Sequence, residues 1–432
     1  MDDREIMASY ETDWTGRYRG QAGLVLRPMS TEDLAAAMAA STSAGVPIVA
    51  QGGNTGLVGG GVPRDCEIVV STLELDGIEA TGSRTEVVVS AGVTLSAVQQ
   101  HAREIGMRFG IDLAARDSAT IGGMIATNAG GVHVVRWGRM RTQILGVEVV
   151  LHDGQVLDRL NSPSSRGLTD LVDLIAGSEG TLGIISRARL RLIPQEQHKV
   201  VVLLTFDTLE NAVKAASYLR ADLPELGAVE YFGPKAVDLV GQHRGLRPPF
   251  EHGEDAYLLV EVSGSEDPSP ALLSALEDMP GIGDSAVAVE PGRQRALWEL
   301  RESITEAINA TGVPQKHDVW LPPAQVPEFA RSLTRITAEV GAESVLFGHI
   351  AEGSLHANVI GLEPGDRSIE DDIYQLALDL GGSPISEHGV GTAKVHWQRQ
   401  MLSPLEFNVM QSMKREFDPS GLLNPGVLVP SS

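Results

Sequence analysis

The chain has 432 residues, 42% hydrophobic and 21% charged, enough for about two domains with real cores. A net charge of −23 would repel a phosphate backbone or an anionic membrane, which argues against nucleic acid as a partner. With Cys66 as the single cysteine, no intramolecular disulfide or thiolate cluster can form. The opening Met1-Asp-Asp-Arg-Glu-Ile lacks the cationic and apolar regions of a secretory signal, and no apolar run is long enough to span a membrane. A cytoplasmic location is the expectation.

Up to about residue 195, short β-branched runs alternate with small helical patterns and dense glycine. Helix 31–44 is predicted from its capping residue and the acids of its first turn. Strands are predicted at 47–50, 68–71, 87–90 and 145–151, the last closing in a hairpin turn at His152-Asp-Gly-Gln. From about Lys199 the rhythm becomes regular. Strands are expected at 200–206, 257–262 and 285–289, a long helix at 292–310 and another at about 323–340. Two more strands follow at 344–350 and 355–360, and a last helix at 403–417. Strands in hairpin-like order interleaved with helices predict an α+β layer, a sheet covered by helices on one side.

Three glycine-rich blocks punctuate the first half. Gln51-Gly-Gly-Asn-Thr-Gly-Leu-Val-Gly-Gly-Gly follows a strand directly, and its converging N–H groups suit a pyrophosphate, although a plain flexible turn would read the same way. It matches neither the P-loop nor the Gly-x-Gly-x-x-Gly dinucleotide pattern. Ser118-Ala-Thr-Ile-Gly-Gly-Met-Ile-Ala-Thr-Asn-Ala-Gly-Gly and Ala176-Gly-Ser-Glu-Gly-Thr-Leu-Gly-Ile-Ile add hydroxyls, amides and bare backbone. Together the blocks suit a large, phosphorylated, planar ligand.

The second half carries the candidate chemistry. In Val345-Leu-Phe-Gly-His-Ile-Ala-Glu-Gly-Ser-Leu-His-Ala-Asn, a turn centred on Glu352-Gly353 would make His349 and His356 directly opposite neighbours, close enough for one metal. With eleven histidines in the chain, two unrelated strand residues remain the alternative. Ser386-Glu-His-Gly adds Glu387 as a carboxylate beside His388. Two His and one Glu leave open coordination positions, as catalytic sites do, and the set fits Zn²⁺, Mn²⁺ or Fe²⁺. Trp298, Arg301 and Thr305 fall on one face of the predicted 292–310 helix. Arg301 could grip a carboxylate in bidentate fashion, or simply sit exposed among Glu299, Glu302 and Glu306. Lys316 is one of six lysines against 28 arginines.

The three glycine blocks resemble the flavin-binding domain of the vanillyl-alcohol oxidase and p-cresol methylhydroxylase superfamily. The resemblance implies FAD, with Gly52, Gly53, Asn54, Thr55 and Gly56 at the pyrophosphate. Ser118, Gly122, Gly123, Thr127, Gly131, Ile184 and Asn424 would lie along the rest of the cofactor. Covalent members usually attach FAD through a histidine near these loops; Asn54 here implies a dissociable cofactor. The order Trp298-x-x-Arg301, Thr305, Lys316, His349-x6-His356-x-Asn358, Glu387-His388 and Phe417-Asp-Pro-Ser-Gly-Leu-Leu-Asn-Pro-Gly is similar, more narrowly, to D-2-hydroxyglutarate dehydrogenases and related D-lactate dehydrogenases.

That likeness implies an FAD-binding domain of two subdomains over 1–196, a substrate- and metal-binding α+β cap with an antiparallel sheet over 197–395, and a helical segment over 396–432 packing back on the FAD domain. It implies metal ligands at His349, His356 and Glu387, with zinc the first choice. Arg301 would bind the C1 carboxylate, His388 would be the general base, and Thr305, Lys316 and Asn358 would hold a dicarboxylic substrate. The implied reaction is oxidation of a D-2-hydroxy acid, D-2-hydroxyglutarate or D-malate, by metal-assisted deprotonation and hydride transfer to flavin. A D-lactate dehydrogenase and a catalytically silent flavin-binding subunit are the alternatives. The expected partners are an external acceptor such as an electron-transfer flavoprotein and, in a homodimer, a second copy of the chain. Where the family reads His-x-Gly-Asp-Gly-Asn-x-His, this chain has Ala351, Glu352 and Ser354 at the Gly, Asp and Asn positions.

Overall fold

The structure is a computed structural model that describes residues 4–161, 170–250, 255–277, 279–363 and 365–429. The Met1-Asp-Asp opening weighed above lies outside these residues. The chain divides into two compact units. One comprises 1–131, 137–195 and 387–432, the other 132–136 and 196–386. Among the described residues no helix is long and apolar enough to cross a membrane.

The first unit holds two sheets. A small parallel one places Ile68–Ser71 between Leu24–Leu26 and Ile48–Gln51. A larger antiparallel one centres on Ile184–Pro194, which pairs with Glu86–Ser90, Ile144–Val150 and Met107–Phe109. One core serves both, running from Leu34, Ile48 and Val70 to Val89, Val147 and Leu190. Helix Thr31–Ala44 starts where Ser30 accepts from the Asp33 N–H and stops at Gly45 in the left-handed region (φ 66°), so its ends are set by local chemistry. The hairpin at His152 forms as predicted, with the Leu151 N–H donating to the Gln155 carbonyl at 2.9 Å. The tail helix Pro404–Phe417 begins in a full capping box between Ser403 and Glu406.

The second unit is built on one seven-stranded antiparallel sheet. Its order is Ile282–Ala288, His198–Phe206, Ala256–Gly264, Leu226–Phe232, Glu343–His349, Ser354–Ile360 and Gln315–Trp320. Helices Pro234–Arg244, Pro291–Glu302 and Ile304–Ala310 share a core with Val201, Leu203, Phe232, Tyr257, Leu259, Val345 and Phe347, all on one face. The alternate residues Val200, Val202, Leu204, Leu258, Val260 and Val262 are equally buried. Helices Leu209–Asp222, Val326–Glu339 and Glu370–Asp379 contact strands of the same sheet. The sheet is therefore covered on both faces, not one. The reason is visible in the strands themselves: Val200 to Leu204 is apolar at every position rather than at alternate ones.

The single helix expected over 292–310 is two, Pro291–Glu302 and Ile304–Ala310. Ser303 caps the first and opens the second while keeping right-handed helical angles (φ −75°, ψ −10°). Because the angles barely change there, nothing in the residue pattern marks the break.

Candidate functional site

The histidine hairpin sets the geometry. His349 pairs with Ser354 and Phe347 with His356, so the turn is the four residues 350–353 and the two histidines are diagonal, not opposite. The expected register was off by one position on each strand. The Glu352 N–H donates to the His349 carbonyl at 3.1 Å and the Gly353 N–H to the Ile350 carbonyl at 3.1 Å, which closes this longer turn. Gly353 takes φ +79°, and a Cβ there would lie 2.0 Å from the Leu321 carbonyl oxygen, so the last turn position requires glycine. Both histidines still point to the same face, with ring centroids 5.8 Å apart.

The same face collects the other candidates of this unit. Across Gln315–Trp320 and Ser354–Ile360, Lys316 stands opposite Asn358 and Asp318 opposite His356. Arg301 reaches the sheet from the last turn of helix Pro291–Glu302, and its guanidinium lies 4.6 Å from the centre of the Phe347 ring. Thr305 is half-buried in the first turn of the next helix. Glu387 and His388, both half-buried, open the last segment of the first unit. They directly follow Ser386, whose N–H donates to Asp318 Oδ2 at 3.3 Å and whose hydroxyl is 2.7 Å from that of Ser354.

Three buried carboxylates, Glu230, Asp318 and Glu261, lie outside the residues that the sequence singles out. Glu230 is fully buried; its Oε1 contacts His349 Nδ1, and its Oε2 accepts from Arg301 Nε and Nη2, each at 2.8 Å. Burial would raise its pKa, but the His349 and Arg301 charges and hydrogen bonds outweigh that and hold it below the usual carboxylate value. A carboxylate on Nδ1 favours the tautomer in which Nε2 carries the lone pair a metal needs. Asp318, equally buried, places Oδ1 3.7 Å from His356 Nδ1. A third acid, Glu261, gathers His133 (3.1 Å), Lys199 (2.9 Å) and the Trp298 indole N–H (3.0 Å). Burial opposes its ionisation, yet the His133 and Lys199 interactions hold its pKa well below the ordinary range. Glu230 and Glu261 are each an acid inside a strand that is otherwise mostly apolar, a placement that calls for a buried partner, whereas Asp318 lies in the polar run Gln315-Lys-His-Asp and carries no such mark. For the two glutamates that was the available signal.

In the first unit, the residues predicted to cradle a cofactor line adjoining loops. A Cβ on Gly52 would sit 2.2 Å from Thr120 Oγ1, and one on Gly53 1.8 Å from the Ser118 carbonyl oxygen, so the first loop presses directly on the second. Asn54 takes φ 51° and donates from Nδ2 to the Thr12 carbonyl at 2.8 Å. Gly52, Gly53, Asn54 and Thr55 are half-buried, and Gly56 and Ser118 are exposed. Gly122 and Ile184 are buried, Gly123 and Gly131 half-buried, and the Thr127 hydroxyl donates to the Gly123 carbonyl at 3.0 Å. Asn424 ties two of the segments together, donating to the Gly60 carbonyl at 3.0 Å and the Glu179 carbonyl at 2.8 Å. Glu179 in turn accepts from the Val390 and Gly391 N–H groups at 2.7 Å each, which fixes the backbone just after His388. Its own burial pushes the Glu179 pKa up against those hydrogen bonds. Open loops with half-exposed backbone fit a large dinucleotide, and the imidazole–carboxylate pairs of the second unit fit a divalent cation.

Residues 22–159 match the family model described as "FAD binding domain", and 195–428 the model "FAD linked oxidases, C-terminal domain". The chain is 34% identical over 438 residues to the D-2-hydroxyglutarate dehydrogenase of Xanthomonas citri pv. viticola, covering 97% of this chain and 92% of that protein. It is 31% identical to the mitochondrial D-2-hydroxyglutarate dehydrogenase of Arabidopsis thaliana (100% and 79% covered). It is 32% identical to the D-lactate dehydrogenase of Archaeoglobus fulgidus (94% and 91%). The fold is similar to p-cresol methylhydroxylase solved with substrate bound, at a TM-score of 0.80, 13% identity and coverage of 100% and 94%. It also matches alkyldihydroxyacetonephosphate synthase, at a TM-score of 0.78, 15% identity and coverage of 98% and 81%. The chain belongs to the family of FAD-linked oxidases and is an oxidoreductase of the p-cresol methylhydroxylase fold.

Proposed function

We propose that this flavoenzyme oxidises a D-2-hydroxy acid, and among these a dicarboxylic one such as D-2-hydroxyglutarate or D-malate, to the 2-oxo acid. The carrying observation is the one sheet face that presents Arg301, His349 and His356 together with the facing pair Lys316 and Asn358. The names of the relatives support the substrate class. When bound, FAD supplies a two-electron acceptor and a divalent cation a Lewis acid for the hydroxyl. The glycine loops at 52–56 and 118–131 would hold the former; His349, His356 and Glu387 would hold the latter, zinc being the first candidate.

Arg301 grips the C1 carboxylate. A guanidinium has five N–H donors and Glu230 takes two, so the buried acid fixes the plane of the fork while the rest of it binds substrate. His388 takes the hydroxyl proton as C2 is oxidised. Lys316 and Asn358 hold the distal carboxylate, and Thr305, close after Arg301 in the chain, adds a hydroxyl. Reoxidation falls to an external acceptor, for which an electron-transfer flavoprotein is the candidate.

The test is anaerobic mixing of the yellow enzyme with D- and L-2-hydroxy acids while following flavin bleaching. D-dicarboxylates should bleach fastest. A hydrogen bond to a charged group contributes about 1.5–3 kcal/mol, so Lys316→Ala should lower the dicarboxylate kcat/KM by about ten- to 150-fold and barely change D-lactate. Equal losses for both acids would move the assignment to D-lactate, whose methyl group has no use for an ammonium. No bleaching by any hydroxy acid would end the reading.

The cofactor is proposed to be dissociable, because the glycine loop carries Asn54 and no histidine. Acid precipitation should release the flavin into the supernatant; yellow colour retained in the washed pellet would show a covalent bond.

A further inference from the structure

Each histidine of the hairpin has a buried carboxylate behind it, but the two acids differ in what else they hold. Glu230 joins His349 to Arg301, whereas Asp318 faces His356 at 3.7 Å and accepts the Ser386 N–H at 3.3 Å. Ser386 is held a second time through its hydroxyl, 2.7 Å from that of Ser354. Ser354 is the hairpin residue directly opposite His349. The residue after Ser386 is Glu387.

We propose that Asp318 is a positioning residue for the cation site, acting on His356 through its charge and placing Glu387 through the backbone of Ser386, with the Ser354–Ser386 hydroxyl pair as its brace. This rests on the metal reading given above. At 3.7 Å the carboxylate reaches the imidazole by charge rather than through a hydrogen bond, and a negative charge there raises the basicity of the ring as a ligand. A carboxylate that also accepts the N–H preceding a ligand fixes where that ligand's Cα lies. Asp318 thus acts on two of the three ligands while standing opposite only one of them in the sheet.

The experiment measures the Zn²⁺ dissociation constant of metal-stripped, FAD-loaded enzyme by chelator competition, for wild type, Asp318→Asn, Asp318→Ala and Glu387→Ala. Flavin absorbance and melting temperature report the fold. Asp318→Asn keeps the acceptor for Ser386 and loses only the charge toward His356, so it tests the proposal even if Asp318→Ala does not fold. Loss of such a supporting group costs about 10–100-fold in metal affinity. Both Asp318 variants should fall in that range, and activity should return as zinc is raised, while Glu387→Ala should lose far more affinity and not be rescued. Zinc affinity within twofold of wild type in folded Asp318 variants would overturn the proposal and leave the metal reading standing. Abolished binding in Asp318→Asn with binding retained in Glu387→Ala would overturn it too, by making Asp318 a ligand. A wild-type enzyme that binds no zinc would overturn both.

Discussion

Glu230→Ala should destabilise the protein by about 3–5 kcal/mol, the cost of removing one partner of a buried ion pair and leaving the other charge uncompensated. The Glu230 side chain is wholly buried and that of Arg301 nearly so, at 10% exposure, so water cannot replace the lost carboxylate. His349 loses its partner in the same step. Urea unfolding should show a lower midpoint with an unchanged slope, since the surface exposed on unfolding is the same. The double variant Glu230→Leu/Arg301→Met should recover much of the stability, because an apolar pair of similar volume removes both desolvation costs. It should recover no activity, since the carboxylate clamp is gone. A Glu230→Ala midpoint equal to wild type would show that the pair contributes nothing to folding.

The largest functional effect is expected from Glu387→Ala or from stripping the cation. Lewis-acid stabilisation of a developing alkoxide contributes several kcal/mol, so turnover with any D-2-hydroxy acid should fall by about three orders of magnitude or more. The flavin spectrum should persist, because the ligand set lies outside the glycine loops. Stopped-flow flavin reduction, rather than steady-state turnover, is the measurement to use, since it isolates the chemical step from reoxidation. Full-rate reduction in verified metal-free enzyme would remove the cation from the mechanism and leave His388 as the sole proton acceptor.

Legibility of the chain followed the range of the forces involved. Helix 31–44 and the tail helix could be read because Ser30, Gly45, Ser403 and Glu406 act on backbone a few residues away. The break at Ser303 could not, because the backbone angles there stay helical. The histidines, Arg301, Lys316 and Asn358 were legible as residue types, and strand alternation put the hairpin pair on one face. Their register was not, since either turn length closes a hairpin, and the contacts that accompany the observed one, with Leu321 and with Gln315–Trp320, lie far off in sequence. The apolar strand around Glu230 signalled a buried partner without naming it, and Asp318 escaped because its strand is polar on both faces. Their partners lie 71 residues away at Arg301 and 68 away at Ser386, beyond any local pattern.

The hairpin turn has a consequence for how this chain could change over time or under engineering. Its four residues set where the two imidazoles stand, and they do so by count rather than by chemistry. A substitution within the turn does not change that count. An insertion or deletion of one residue would slide Ser354–Ile360 by a step and turn His356, Asn358 and Ser354 together to the opposite face. The turn behaves as a spacer of fixed length, in which Ile350 and Ala351 are buried, Gly353 is required by its backbone, and Glu352 alone is partly exposed. Ala351 and Glu352 fill two of these four places, and both histidines stand on one face of the sheet.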